Sequence, residues 1–237
     1  MKTVCIIQAR LGSTRLPQKI LLPLAGKSML QNVVERVQRA KLVDEVVVAT
    51  PGGKQDYDLR LEVAKVLGSE HLYGYGGDDN DLIGRFLGAA EISKADLIVR
   101  VCADNPCVES EWIDHLVEHA EYLKNPCRAL FLDSENFEYN YDGFGGELYT
   151  LEMLEWMDSL IKNPLYREHP HLIWKDMGAY SYVGNSYPPG FRLDVNTEAE
   201  YEKLKDIYDH FGHNRFTVEE VMEYLNDKKS TISHASA

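Results

Sequence analysis

The chain has little of what secreted, membrane or nucleic-acid-binding proteins depend on. Among 237 residues there are four cysteines, Cys5, Cys102, Cys107 and Cys127, and none stands in a C-x-x-C pair. That spacing argues against a zinc ribbon or a disulfide frame, and Cys5 and Cys102 fall inside apolar runs that read as buried strands carrying reduced thiols. No apolar run approaches the roughly 20 residues that span a bilayer, and no signal peptide is recognisable, so a cytoplasmic location is expected. Cations are also scarce: 25 Lys and Arg stand against 38 Asp and Glu, a formal charge of -13. That balance disfavours nucleic acid and anionic membranes as partners. There is no internal repeat and no linker-like stretch.

What cations there are crowd near the N-terminus. The short apolar run Val4 to Ile7 suits a strand buried on both faces, and it leads into Arg10, Gly12, Ser13, Thr14, Arg15 and, past Pro17, Lys19. Small residues after a buried strand let backbone N–H groups approach an anion, and the cations neutralise its charge. The loop has neither the Lys-Ser/Thr ending of a P-loop nor the three-glycine spacing of a dinucleotide fingerprint. By residue type alone it is equally a solvated basic connector, exposed and uninvolved in fold stability.

Downstream, helix and strand alternate. Ser28 and Gln31 form a capping box before Leu30, Val33, Val34, Val37 and Ala40 at helical spacing. Glu45 to Ala49 is a second strand and Tyr57 to Leu67 a second helix ended by Gly68. Tyr73 to Gly77 reads as a mobile turn, and Asp78, Asp79 and Asp81 head a third helix. Asp96 to Cys102 is a strand that delivers Asp104 to its end, and Ser110 caps the helix that follows. Such βα repetition predicts an α/β fold, a Rossmann-like, mostly parallel sheet with helices on both faces and its ligand site beyond the strands' carboxyl ends. Phe191 to Thr197 reads as a strand leading into a helix capped by Thr197 and Glu200. We expect a single domain over residues 1–227 with a central insertion around 134–190, and a flexible tail over 228–237.

The ordered string A-R-x-G-S-T-R-L-P-x-K-x-L (Ala9 to Leu21), continued through Gly26 to Val37 and Val43 to Thr50, resembles the cytidylyltransferases that activate acidic sugars, most closely the spore-coat polysaccharide branch. The resemblance implies a nucleotide-diphospho-sugar transferase type of fold and a reaction in which CMP passes from CTP to an acidic sugar or other small acceptor, with Mg²⁺ as cofactor. It further implies nucleotide contacts from Arg10, Gly12, Ser13, Thr50, Asp81, Arg85 and Arg100, with catalytic roles for Arg15, Lys19 and Asp104. VRVCADNP (Val99 to Pro106) matches the family's V-R-x-x-x-D-x-P, which makes Asp104 a metal ligand by resemblance. Asp194 and Asn196 stand where the family has D-x-D, and Asn196 departs from the usual aspartate. Acceptor contacts are implied at Asp142, Glu147, Glu168, His169 and Arg192, in the region where this chain departs most from the family, with Tyr141 and Pro170 at positions of other residues. His169 reads alternatively as a helix-end side chain packed on Trp174, and Asp81 as a helix cap. A nucleotidyltransferase using another nucleotide, a phosphorylated acceptor and a non-catalytic nucleotide-binding homologue are the rival readings; a homodimer is compatible with all of them.

Overall fold

The computed structural model describes the chain apart from residues 125–127, 133–142, 184–186, 189 and 236–237. Its frame is a seven-stranded sheet in the order β5-β4-β1-β6-β8-β7-β9. The first strand, β1 (Thr3–Gln8), is apolar and buried because it lies in the middle, hydrogen-bonded in parallel to β4 (Glu45–Pro51) on one side and β6 (Leu97–Cys102) on the other. β4 in turn pairs in parallel with the edge strand β5 (Leu72–Tyr75). The sequence passage read as a mobile turn is therefore partly strand. Gly74 breaks the apolar alternation that would have marked it, and an edge strand needs only one partner.

The region expected to be an insertion belongs to the main sheet. β8 (Glu147–Thr150) pairs antiparallel with β6 and with β7 (Ala129–Leu132), and β9 (Tyr180–Val183) closes the far edge parallel to β7. β8 runs against all its neighbours, so the sheet is mixed but mostly parallel. Part of the expected loop, residues 133–142, lies outside the described residues, Asp142 with it.

Helices cover both faces: α1 (Met29–Val37), preceded by the short hairpin β2 (Pro23–Leu24) and β3 (Lys27–Ser28), then α2 (Tyr57–Val66), α3 (Leu82–Ser93) and α4 (Ser110–Glu118). α5 (Leu151–Leu160), α6 (Pro164–Glu168) and α7 (His171–Met177) follow β8, and α8 (Glu198–Phe211) and α9 (Val218–Ala235) finish the chain. The capping box at Thr197 and Glu200 forms in full. At Ser28 only half forms, because Gln31 turns its amide to Glu35. Residues 228–235 are helical, contrary to the expected loose tail. Lys228 reaches back to Asp206 at 2.5 Å, and Tyr224 donates to the same carboxylate, so α9 is tied to α8.

Apolar residues form two buried groups. The larger sits on the central sheet under α1 to α5 and α7; the smaller joins Leu16, Leu24 and Met29 to Leu193, Val195 and the inner faces of α8 and α9. Arg36 of α1 stitches them together. Its guanidinium, 3% exposed, donates to the carbonyls of Val108 (2.6 Å), Cys107 (3.3 Å), Asn214 (2.9 Å) and Phe216 (3.0 Å) and stacks 4.9 Å over the Phe216 ring. Arg36→Met fits the space but takes this donor from the buried carbonyls of Val108, Cys107 and Phe216, while that of Asn214 keeps Arg39 at 2.5 Å. We expect a loss of about 3 kcal/mol or more in urea unfolding; a loss under about 1 kcal/mol would mean the carbonyls find other partners.

Glu109 sits beside this joint, where its carboxylate accepts the backbone N–H of Val218 at the start of α9. Burial pushes its acid up to about 7, against the weaker pull of the Val218 hydrogen bond and of Arg36. A carboxyl raised in the folded state holds its proton in the native protein and loses it in the unfolded chain between the ordinary value and about 7, so its contribution falls as pH rises through that window. Glu109→Gln keeps the acceptor without the charge. Relative to wild type, the variant should gain stability from pH 5 to pH 8; a pH-independent difference in melting temperature would rule out the raised acid.

Candidate active site

The site opens at the carboxyl ends of β1 and β6, where the strand order reverses, since β4 and β5 continue one way from β1 and β6 the other. A cavity of about 350 Å³ lies there, lined by Arg10, Gly12, Ser13, Arg15, Lys19, Arg85, Arg100, Asp104, Glu168, His169, Arg192, Asp194 and Asn196 among others. Most of the residues singled out from sequence thus meet in one place. Six of the lining side chains are cationic and three are carboxylates, so a chain of formal charge -13 turns a positive surface toward this one cavity.

The first loop is built, not loose. The N–H of Leu11 donates to Asp56, a 1% exposed carboxylate at the start of α2, at 2.8 Å, and the N–H of Leu16 closes on Ser13 Oγ at 3.3 Å. Gln18 then takes a left-handed turn, φ 55°, and hands the chain to a short 3-10 turn, Lys19–Leu21. That turn buries Lys19. Its Nζ donates to Asp104 Oδ2 (2.5 Å), the Val195 carbonyl (2.6 Å) and Asn196 Oδ1 (3.0 Å). Arg15, by contrast, is exposed and reaches the same Asn196 oxygen at 2.8 Å. The expectation that the whole loop is exposed and uninvolved in stability fails at Lys19, because the ammonium replaces its lost water with three protein acceptors.

Asp104 and Asp194 come together through the backbone. The N–H of Val195 donates to the Asp104 carbonyl at 2.9 Å, which lays residues 192–196 along the loop after β6. This stretch is extended, with a single bridge at Arg192, and does not join the sheet as the strand that was expected. Gly143 backs it: at φ +102° its missing Cβ would stand 2.1 Å from the Asp194 nitrogen, so only glycine permits the approach. Asp194 is 4% exposed and both its oxygens are engaged, Oδ1 by Arg192 Nε (3.0 Å) and Oδ2 by Arg192 (2.7 Å) and Asn196 Nδ2 (2.5 Å). The Asp104 side chain is 26% exposed and faces the cavity.

Arg85 is 1% exposed, and its Nε has no partner among the described residues, while another nitrogen donates to the Asp79 carbonyl. Burial, and then the charge of Arg10, lower its basicity. A buried guanidinium with a spare donor on a cavity wall is arranged for an acceptor that the protein does not supply.

Three residues expected at the site stand behind it. Thr50 is fully buried in β4, and its hydroxyl has no partner among the described residues. Glu147 on β8 is sealed, paired with Arg100 and accepting the Tyr149 hydroxyl, so its effect on the cavity passes through Arg100, which also holds Gln8 Oε1 at 2.9 Å. Asp81 caps α3 through the Gly84 N–H (3.0 Å) and is gripped by Arg167. Although burial opposes it, hydrogen bonds from Arg167, Gly84 and Tyr75 hold the Asp81 acid below its ordinary value. The same burial and contact push Tyr75 up to about 12. His169 lines the cavity beside His171, while Trp174 stacks on Trp156. His171 is pushed down to about 3 by burial first and by Arg100 next, and is a neutral ring behind the cavity lining.

Sequence reasoning missed Asn80, which takes Arg10 at 2.8 Å, Asp56, and Arg167. An Asn among three aspartates carries no charge signal, and Asp56 and Arg167 act through residues distant in sequence. Among the described residues no three His, Cys, Asp or Glu side chains gather as a closed metal cage, and no helix is long and apolar enough to cross a membrane.

The sequence model of the cytidylyltransferases matches residues 4–235. A 3-deoxy-manno-octulosonate cytidylyltransferase of Trichlorobacter lovleyi is 31% identical over 78% of this chain and 77% of its own. The spore coat polysaccharide biosynthesis protein SpsF of Bacillus subtilis is 28% identical over 87% of the chain and 86% of its own. A solved cytidylyltransferase structure from Leptospira borgpetersenii superposes with a TM-score of 0.84 at 30% identity, covering 97% of this chain and 96% of that one. A mostly parallel sheet with a cationic cavity at its switch point, and these matches along nearly the whole length, say the same thing: the chain belongs to the cytidylyltransferase family of nucleotidyltransferases.

Proposed function

We propose that this enzyme transfers CMP from CTP to the hydroxyl of a small acidic sugar and releases pyrophosphate, as a step of surface-polysaccharide or glycoconjugate synthesis. The observation that carries the reading is the convergence of Arg10, Arg15, Lys19 and Arg85 on one cavity in an otherwise acidic chain. The names of the relatives, an octulosonate cytidylyltransferase and a spore-coat polysaccharide protein, support an acidic sugar as acceptor.

In this reading the acceptor oxygen forms a bond to the α-phosphorus while the bond to the pyrophosphate oxygen breaks. The hydroxyl proton passes to a base on the acceptor side, where His169 is the lining imidazole. Little covalent work is asked of the protein: Arg15 and Lys19 hold charge on the phosphates, and Arg192 faces the acidic acceptor. Mg²⁺ fits the donors present, because it takes one or two protein carboxylates and completes its shell with water and phosphate oxygens. Asp104 is the carboxylate placed to hold it; Asp194, with both oxygens engaged, orients Arg192 and Asn196 and joins the ion only if Arg192 lets go. When bound, the ion neutralises phosphate charge and polarises the α-phosphoryl group.

Two measurements test this. In thermal shift with Mg²⁺, CTP should raise the melting temperature more than UTP, GTP or ATP, and Arg15→Ala should weaken CTP by about 1–3 kcal/mol with an unchanged fold. Equal shifts with all four nucleotides would reject cytidine as the base. In CTP-dependent pyrophosphate release with a panel of acidic sugars, Asp104→Asn should abolish turnover at saturating CTP, while Asp194→Asn should keep a measurable rate and lose acceptor affinity. Wild-type turnover in Asp104→Asn across a Mg²⁺ titration would remove Asp104 from the ion.

A further inference from the structure

Around the cavity rim the polar contacts close into a ring. Arg10 donates to Asn80 Oδ1 at 2.8 Å and faces Glu168 at 3.6 Å. Asn80 is followed in the chain by Asp81, and Glu168 is preceded by Arg167. Those inner neighbours grip each other: Arg167 Nε and a terminal nitrogen donate to the two oxygens of Asp81, both at 2.8 Å. The same guanidinium reaches Asp158 of α5 at 2.7 Å and the Ile161 carbonyl at 3.0 Å. Arg167 and Asp81 are only 18% and 15% exposed at the side chain, whereas Arg10 and Glu168 are 47% and 33% exposed. The ring thus has a rigid, half-buried inner link and a weaker outer one that opens to the cavity.

We propose that Arg167 is a positioning residue for the nucleotide: by clamping Asp81 it fixes Asn80 on one side and Glu168 on the other, and so holds Arg10 at the angle the ligand meets. The inference rests on the reading of the cavity as a CTP site. Two hydrogen bonds in a fork fix direction as well as distance, which a lysine at this position cannot reproduce. The clamp also fixes the first turn of α3, because Asp81 is its cap, and α3 carries Arg85 into the cavity wall. Arg167 itself does not line the cavity, so any effect on ligand must travel through Asp81, Asn80, Glu168 and Arg10.

The test is a double-mutant cycle on the full chain, with the dissociation constant of CTP in excess Mg²⁺ measured by calorimetry. Arg167→Met should weaken CTP about tenfold, and Arg167→Lys should recover only part of that loss. In an Arg10→Ala background the Arg167→Met effect should shrink to less than threefold, since the residue being aimed is gone. Asp81→Asn should reproduce Arg167→Met, and the two together should cost no more than either alone. A clamp that served stability only would lower the melting temperature and leave CTP affinity unchanged, or would weaken CTP equally with and without Arg10; either result overturns the proposal. If the wild type binds another nucleoside triphosphate in place of CTP, the cytidine assignment falls, and the same cycle run with that nucleotide decides the role of Arg167.

Discussion

Lys19 is the group on which the site's architecture turns. An ammonium 8% exposed is costly unless its hydration is replaced, and the three replacements come from two distant parts of the chain: Asp104 after β6, and the carbonyl of Val195 and amide of Asn196 before α8. The first loop can therefore reach its observed form only when the fourth strand of the central group and the C-terminal segment have both arrived. The same bonds that satisfy the charge hold Asp104 and the segment that carries Asp194 beside it, so these carboxylates and the buried cation are positioned by one another.

This arrangement explains how an acidic protein offers a site to a polyanion. The carboxylate excess is spread over the exterior, while the cavity gathers cations from β1's loop, α3, β6 and the stretch before Asp194. Several of these are already partnered: Arg100 by Glu147, Arg192 by Asp194, Lys19 by Asp104. Arg15 and Arg85 are the ones with most to gain from a ligand, the first because it is exposed and the second because its buried Nε has no acceptor among the described residues.

Much of this was legible from the residues. The alternation of buried strands and amphipathic helices announced a mostly parallel sheet, and the cations clustered after the first strand are the ones that line its cavity. The gaps have physical causes. β5 escaped because Gly74 interrupts the pattern of a strand held by one neighbour only. Residues 192–196 look like a strand because their alternation serves the smaller apolar group and the cavity, with the Val195 N–H bonded to the Asp104 carbonyl and only a single bridge at Arg192. Glu147 was read as a ligand contact, and nothing in a sequence distinguishes a carboxylate that lines a cavity from one that restrains an arginine lining it. Arg167 stands in the Tyr166 to His169 string that resembles the family's R-E-H, but nothing in the sequence tied it to Asp81, 86 positions away, because Asp81 was explicable locally as a helix cap.

Arg36 has a consequence for how the protein is made. Its acceptors include the carbonyls of Asn214 and Phe216, far along the chain from α1. On the ribosome the first helix, β1 and β4 emerge long before those carbonyls exist, and until they do the guanidinium has only the carbonyls of Cys107 and Val108 to replace its water. The N-terminal half cannot seal its outer face early; it waits with a half-satisfied arginine at the seam. Extension of the chain to Phe216 supplies the last acceptors, so closure of this seam waits on that segment, and a chain cut short before it leaves the seam open.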